Sequence, residues 1–471
     1  MKRFWFVLLS LGLFMAFSTS AFAVDVKVGA EYYVGGLYLN KTRVWNGSAY
    51  TDGDVPSTAF FFQRLRVGTD FVVSPCLKLV TRFDAMERIW GGQRTEPGDD
   101  WYINAPAEGS PSWSAGTRAE NENIAFDITY VEYVSPIGMF RVGYMPDYSF
   151  GTVFADEGNQ MYNGQILYAI KKGPFTGILN YSKVSENNDH YGYSYGYTDV
   201  DYDSYRVAGI YDFNTARAKG EVGVLFLYDR NATSKPNAWS PFNVGYLQNV
   251  YVIDPYVKAK IGPVDLQAEV LYYFGDAAKW EANAPGLENI DISALSAFVD
   301  ATANFGMFNV GGTFAYLSGD KPDTKDKIEG SGALGYVNTA GANYNPCLIL
   351  FNTETLGYWV GEIDGHTNSV VNNKMSNAYF FQGRVGVKPT PQWDVNASLS
   401  YAFADRKPSG YNNDTYGTEV DLTATYKITN NLSYMLGAGY LWTGDYFKAR
   451  GSNDPQVQND YILINKLTLS F

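Results

Sequence analysis

The chain has 471 residues, 36 basic against 49 acidic side chains, and a formal net charge of −13, which argues against nucleic acid as its partner. Aromatic residues make up 16% of it, with 38 Tyr and 29 Phe. No apolar run past the N-terminus is long enough for a transmembrane helix, and a soluble enzyme seldom carries so much Tyr.

Lys2 and Arg3 precede an apolar run from Phe4 to Phe17, followed by Ala21-Phe22-Ala23. A basic start, a short greasy stretch and an A-x-A site predict a secretory signal peptide over 1–23, with the mature chain over 24–471. Cleavage removes two basic residues and no acid, so the mature chain is more acidic still.

Alternating segments then follow in pairs. The first is Val26 to Leu39. Phe60 to Val73 and Leu77 to Ile89 flank Ser74-Pro75-Cys76; Asn123 to Val134 and Met139 to Tyr148 flank Ser135-Pro136-Ile137-Gly138. The pairs continue as Gln165 to Ile170 with Phe175 to Val184, Ser204 to Asp212 with Gly220 to Tyr228, and Val250 to Lys260 with Val264 to Phe274. Ile292 to Asn304 pairs with Met307 to Leu317, Ala378 to Lys388 with Trp393 to Phe403, and Glu419 to Lys427 with Leu432 to Trp442. Strict alternation predicts strands with one greasy side.

The last segment, Tyr461 to Phe471, puts Tyr461, Leu463, Leu467, Leu469 and Phe471 on one face and Lys466, Thr468 and Ser470 on the other. A chain ending on an aromatic inside such a strand resembles the outer-membrane β-barrels of Gram-negative bacteria. The resemblance implies that Phe471 is read by the barrel-insertion machinery. It also implies outer-membrane lipid and lipopolysaccharide as surroundings.

The fold expected is all-β: a closed antiparallel transmembrane barrel of about 18 strands (16–18), with short periplasmic turns and long extracellular loops. A β-sandwich also alternates, but it does not explain short turns at one end only. In the Trp393 and Leu432 strands, aromatics at the ends and aliphatics between them fit interface girdles. The longest loops, Gly91 to Glu122 and Gly319 to Ser376, are candidates for folding over the mouth. Cys76 and Cys347 fall at opposite ends of the barrel, too far apart for a disulfide.

The clearest charge pattern is inward. Arg64 and Arg66 share the lumen face with Asp70; Lys78, Arg82, Asp84 and Arg88 follow on the hairpin partner, and Arg141 faces inward two strands on. This predicts a basic ladder up one wall, able to sort ions by a transverse field. In this the chain resembles general porins, in which the third external loop sets acids opposite an arginine ladder. The resemblance assigns that part to Asp147, Asp156 and Glu157. The strand count is more similar to that of specific-substrate channels, maltoporin-like or for small carboxylates, and of the alginate-export barrel. The plainer reading makes the lumen charges structural salt bridges.

Other chemistry is thin. Tyr256, Tyr273 and Phe298 are candidates for an aromatic slide, with filling as their plainer role. The only histidines, His190 and His366, fall in loops, and no serine sits in a nucleophile elbow. Asp199 to Asp203 reads as a solvated charge run rather than a calcium site. No catalysis, cofactor or metal is expected. The function expected is an outer-membrane porin, possible as a homotrimer, passing small hydrophilic solutes or ions by passive diffusion through an arginine-lined, loop-restricted lumen. The rivals are the sheath of a porin–cytochrome electron conduit, a rim hydrolase using His190 or His366, and an exporter of anionic polysaccharide.

Overall fold

A strand placed in lipid must give every backbone N–H and C=O to a neighbouring strand, so a spanning sheet has to close on itself. The computed structural model describes residues 24–45, 56–91, 124–147, 149–156, 162–187, 200–235, 244–281, 288–333, 340–341, 344–366, 369–411, 413–448 and 457–471. The expected signal peptide lies outside the described residues. So do nearly all of the Gly91 to Glu122 loop, His190 and Glu157.

The strands are β1 (Asp25–Leu39), β2 (Thr58–Ser74), β3 (Leu77–Ile89), β4 (Ile124–Ser135), β5 (Gly138–Pro146), β6 (Tyr162–Lys172), β7 (Phe175–Ser185), β8 (Tyr202–Asn214), β9 (Ala218–Asn231) and β10 (Tyr246–Ile261). Then come β11 (Val264–Trp280), β12 (Ile290–Phe305), β13 (Phe308–Leu317), β14 (Lys327–Ile328), β15 (Ala378–Val387), β16 (Trp393–Ala404), β17 (Thr415–Lys427), β18 (Leu432–Thr443) and β19 (Asp460–Ser470). Eighteen of them form the ring, each antiparallel to its sequence neighbour. The short β14 is the extra one, lying parallel to β12 through Asp291 and Ile292. The ring closes where β1 pairs with β19, from Glu31 opposite Ser470 to Leu39 opposite Ile462. Phe471 adds the last rung, its N–H donating to the Ala30 carbonyl at 3.0 Å.

Alternation sorts the faces as the sequence predicts. Leu399, Leu436 and Leu463 are more than half exposed on the outer wall, while Ser400, Ile462 and Ile464 beside them are buried. Outward aromatics line up across strands: Tyr181, Tyr205, Tyr228, Tyr251 and Phe274 stand directly opposite one another from β7 to β11. Their successive ring centroids are 4.9 to 6.0 Å apart. An amphipathic belt of this kind suits the membrane–water interface.

The periplasmic turns are short for a local reason. Gly173-Pro174 and Gly262-Pro263 are two-residue connections in which glycine takes φ of +61° and +59°. That is the first position of a type II′ hairpin turn, and proline suits the second because its φ is fixed negative. Cys76 is exposed in another such turn, and Cys347 is buried in a loop; both thiols are free.

The outer wall generates a prediction. Leu436→Arg, in the middle of β18, should cost about 2–4 kcal/mol of unfolding free energy in lipid vesicles, against roughly 0–1 for Leu432→Arg at the strand end. Equilibrium denaturation in vesicles reads both. Equal costs at the two depths would mean that this wall does not face a hydrocarbon core.

Candidate pore and its constriction

The predicted ladder exists, but it is matched rung by rung with acids from the same wall. Arg66 donates to both Asp84 oxygens, at 2.7 and 2.6 Å. Arg82 donates to Asp127 at 3.1 Å and also to the Tyr162 hydroxyl. Lower down, Lys78 bridges Asp70 at 3.1 Å and Glu132 at 3.4 Å, and Arg141 donates to Glu132 at 2.8 Å. Buried charges persist only when paired, and antiparallel register supplies the pairs: Arg66 stands opposite Asp84, and Arg141 opposite Glu132. The ladder is therefore part of a salt-bridge network.

Arg88 is a second correction. Met86 adopts φ of +54°, and the β2–β3 register slips by one residue between Leu65 and Gln63. A one-residue bulge exchanges the faces beyond it. Glu87 thus faces Arg64 across 3.5 Å in the lumen. Arg88 stands opposite Gln63, whose side chain accepts from the outward Trp90 indole.

Two loops fill much of the lumen. The segment 149–156, after β5, crosses to β10–β12 rather than facing the ladder. The Thr152 N–H and hydroxyl donate to Glu269 at 3.1 and 2.6 Å. Phe150 meets Tyr256 edge-on at 4.9 Å, and Phe154 stacks on Phe298 at 5.0 Å. Gly151 is required for this seat: φ is +83°, and a Cβ there would lie 1.6 Å from a Glu269 oxygen. Asp147, expected opposite the ladder, instead pairs with Arg206 of β8 at 2.7 Å, both buried. Asp156 does reach the ladder side.

The second loop, described over 344–366 and 369–376, turns inward instead of lying across the mouth. Glu419 on β17 accepts the Ile349 and Leu350 N–H groups, each at 2.7 Å, and Asp421 accepts that of Leu348 at 3.3 Å. Asn352 caps the helical turn Thr353–Gly357 by accepting from Thr355 and Leu356. Trp359 stacks on Phe62 of β2 at 4.6 Å. Gly341, just ahead of this loop in sequence, donates its N–H to the Phe154 carbonyl at 2.8 Å. Burial beside Glu419 and Asp421 pushes the Cys347 thiol well above its ordinary range.

Between the loops and the β1–β4 and β19 wall lies a cavity of about 840 Å³. Its lining holds three cations, Arg64, Arg66 and Lys466, against six carboxylates: Glu31, Asp84, Glu87, Asp127, Asp156 and Glu354. Arg64 and Lys466 both stand over the Tyr33 ring, 5.0 and 5.5 Å from its centroid. Of the eight residues singled out from sequence, Arg64, Arg66 and Asp156 line this cavity. Lys466 and Tyr33 were missed as site residues, although alternation alone puts Lys466 on the inner face.

Tyr256, Tyr273 and Phe298 do point inward, but the loops cover them, so they fill rather than form a slide. Asp201 and Asp203 hold Lys183 at 2.7 and 3.1 Å. His366 packs edge-on against Trp45 at 4.9 Å, and Ser369 bonds to its carbonyl rather than its ring.

The chain matches no protein-family model and no curated protein. Among solved structures it is similar to Pseudomonas aeruginosa OccK2 (OpdF) in complex with glucuronate, at 11% identity and a TM-score of 0.50, over 95% of this chain and 97% of that one. A BenF-like porin from Pseudomonas fluorescens aligns over 95% and 99% at 10% identity with a TM-score of 0.48, and Acinetobacter baumannii OccAB4 over 95% and 99% at 12% with 0.48. The OccK2 likeness, over nearly the full length of both chains, agrees with the closed ring and its apolar belt: the fold is that of a Gram-negative outer-membrane porin.

Proposed function

We propose that the chain is a passive channel for small hydrophilic solutes and ions, narrowed by the seated loops 149–156 and 344–376. The observation that carries the reading is the polar cavity between the loops and the ladder wall. A sheath around a redox partner needs a clear lumen, and these loops occupy it. The charged lining supports selection by field rather than by fit. Within the network, Arg66 is neutralised by Asp84 at close range. Lys466, Glu31 and Glu354 carry no ion pair among the described residues, so a passing solute meets them. With carboxylates outnumbering cations in the lining, the channel prefers inorganic cations.

Single-channel recording in planar bilayers tests this. A stable conductance with a reversal potential on the cation side is expected under a salt gradient. Glu31→Gln with Glu354→Gln should move that potential toward zero, and Lys466→Glu should move it further to the cation side. A silent bilayer would end the channel reading; a potential unmoved by all three changes would take these groups out of the ion path.

The loop seat gives a second expectation. Glu269→Ala removes two hydrogen bonds from the loop, each worth about 0.5–1.5 kcal/mol. Loosening of 149–156 should raise the mean conductance and its current noise. Gly151→Ala should do the same by collision with Glu269. Wild-type conductance in both variants would show that this loop does not restrict flow.

A further inference from the structure

Glu419 and Asp421 are neighbours on the inner face of β17, 0% and 6% exposed. Three backbone N–H groups of the inward loop reach them, yet among the described residues neither makes an ion pair with Lys, Arg or His. Two other buried lumen acids, Asp84 and Asp147, do have such a cation, in Arg66 and Arg206. Peptide dipoles alone do not neutralise two adjacent buried carboxylates. One oxygen, Asp421 Oδ1, accepts from no N–H or hydroxyl group among the described residues, and its carboxyl lies against that of Glu419. The third group at this spot is the Cys347 thiol, whose sulfur and one oxygen from each acid all lie within 4.8 Å of one another.

We propose that Cys347, Glu419 and Asp421 hold a divalent transition-metal cation of the Zn2+ class, which fastens the inward loop to the barrel wall. Sulfur with carboxylate oxygen is a donor set for a borderline-soft ion; Ca2+ and Mg2+ take oxygen alone. Binding releases the thiol proton and any proton the two acids share, and leaves three anionic donors against two positive charges. The loop supplies the sulfur and the wall supplies the oxygens, so the metal links two parts of the chain that are far apart in sequence. This site does not depend on the channel reading.

The test uses the full chain refolded in detergent with Zn2+ and freed of excess metal by gel filtration, its folding checked by heat-modifiable migration. Elemental analysis should find about one zinc per chain in the wild type and in Cys76→Ser, which lacks only the exposed turn thiol. Cys347→Ser and Asp421→Asn should hold at least tenfold less. Refolding with Co2+ should give a thiolate-to-metal absorption band in the wild type, a readout that needs no variant to fold. A wild type without zinc and without the band would overturn the proposal, leaving a proton as what the acids share. Zinc retained in folded Cys347→Ser would overturn it as well.

Discussion

Everything in this molecule depends on hydrogen-bond closure between its first and last strands. Within hydrocarbon an unpaired backbone group costs several kcal/mol, and an open edge on β1 or β19 would expose a row of them. The register from Glu31–Ser470 to Leu39–Ile462 removes that edge. Closure also turns an alternating sequence into two environments. It commits each odd-numbered residue of β19 to lipid and each even-numbered one to the inside, and the same rule propagates from strand to strand around the ring.

The inside is not uniformly wet. In the extracellular half of the barrel, inward positions such as Leu37, Leu225, Leu227, Leu271 and Ile292 are apolar and buried. They pack with Phe150, Phe154, Ile349, Leu350 and Trp359 of the two loops in one continuous core. The barrel wall thus serves as the mould for a hydrophobic core like that of a soluble protein, with the loops as its contents. Carboxylates on the wall fix the loops at the points where their backbone would otherwise be buried without acceptors: Glu269 under Thr152, and Glu419 under Ile349 and Leu350. The polar cavity is what the loops leave unfilled.

This division explains what could be read from the sequence and what could not. Period-two alternation is a local signal, and the strand from Leu77 to Ile89 was legible to the residue. The ladder residues were legible as inward-facing for the same reason. Arg88 was not, because the flip at Met86 is a backbone event with no glycine or proline to announce it. The destinations of the loops were not legible either. Asp147 finds Arg206 and Thr152 finds Glu269 over 59 and 117 residues of chain, and no spacing rule links them. The acids on β11 and β17 fell on the inner face by parity, but nothing local distinguishes a loop anchor from a pore-lining charge.

The same electrostatics decides which charges are free to act on a solute. An arginine with a bidentate carboxylate in low dielectric has its field cancelled at short range, and moving it costs the whole pair. Arg66 with Asp84 is therefore part of the wall, and its charge is felt as a dipole. Lys466 is different: it stands over Tyr33 with only the ring quadrupole beneath it, and cation–π attraction leaves the ammonium's outward field largely intact. Arg64 shares that ring, but Glu87, brought inward by the bulge, stands 3.5 Å away and partly offsets it. A single inserted residue on β3 has thus exchanged an expected cation for an anion on the lumen face. Had the alternation run on unbroken, Arg88 would face inward beside Arg64 and the upper ladder would be strongly basic. The bulge thus leaves the lumen face of this wall two charges more negative than unbroken alternation would.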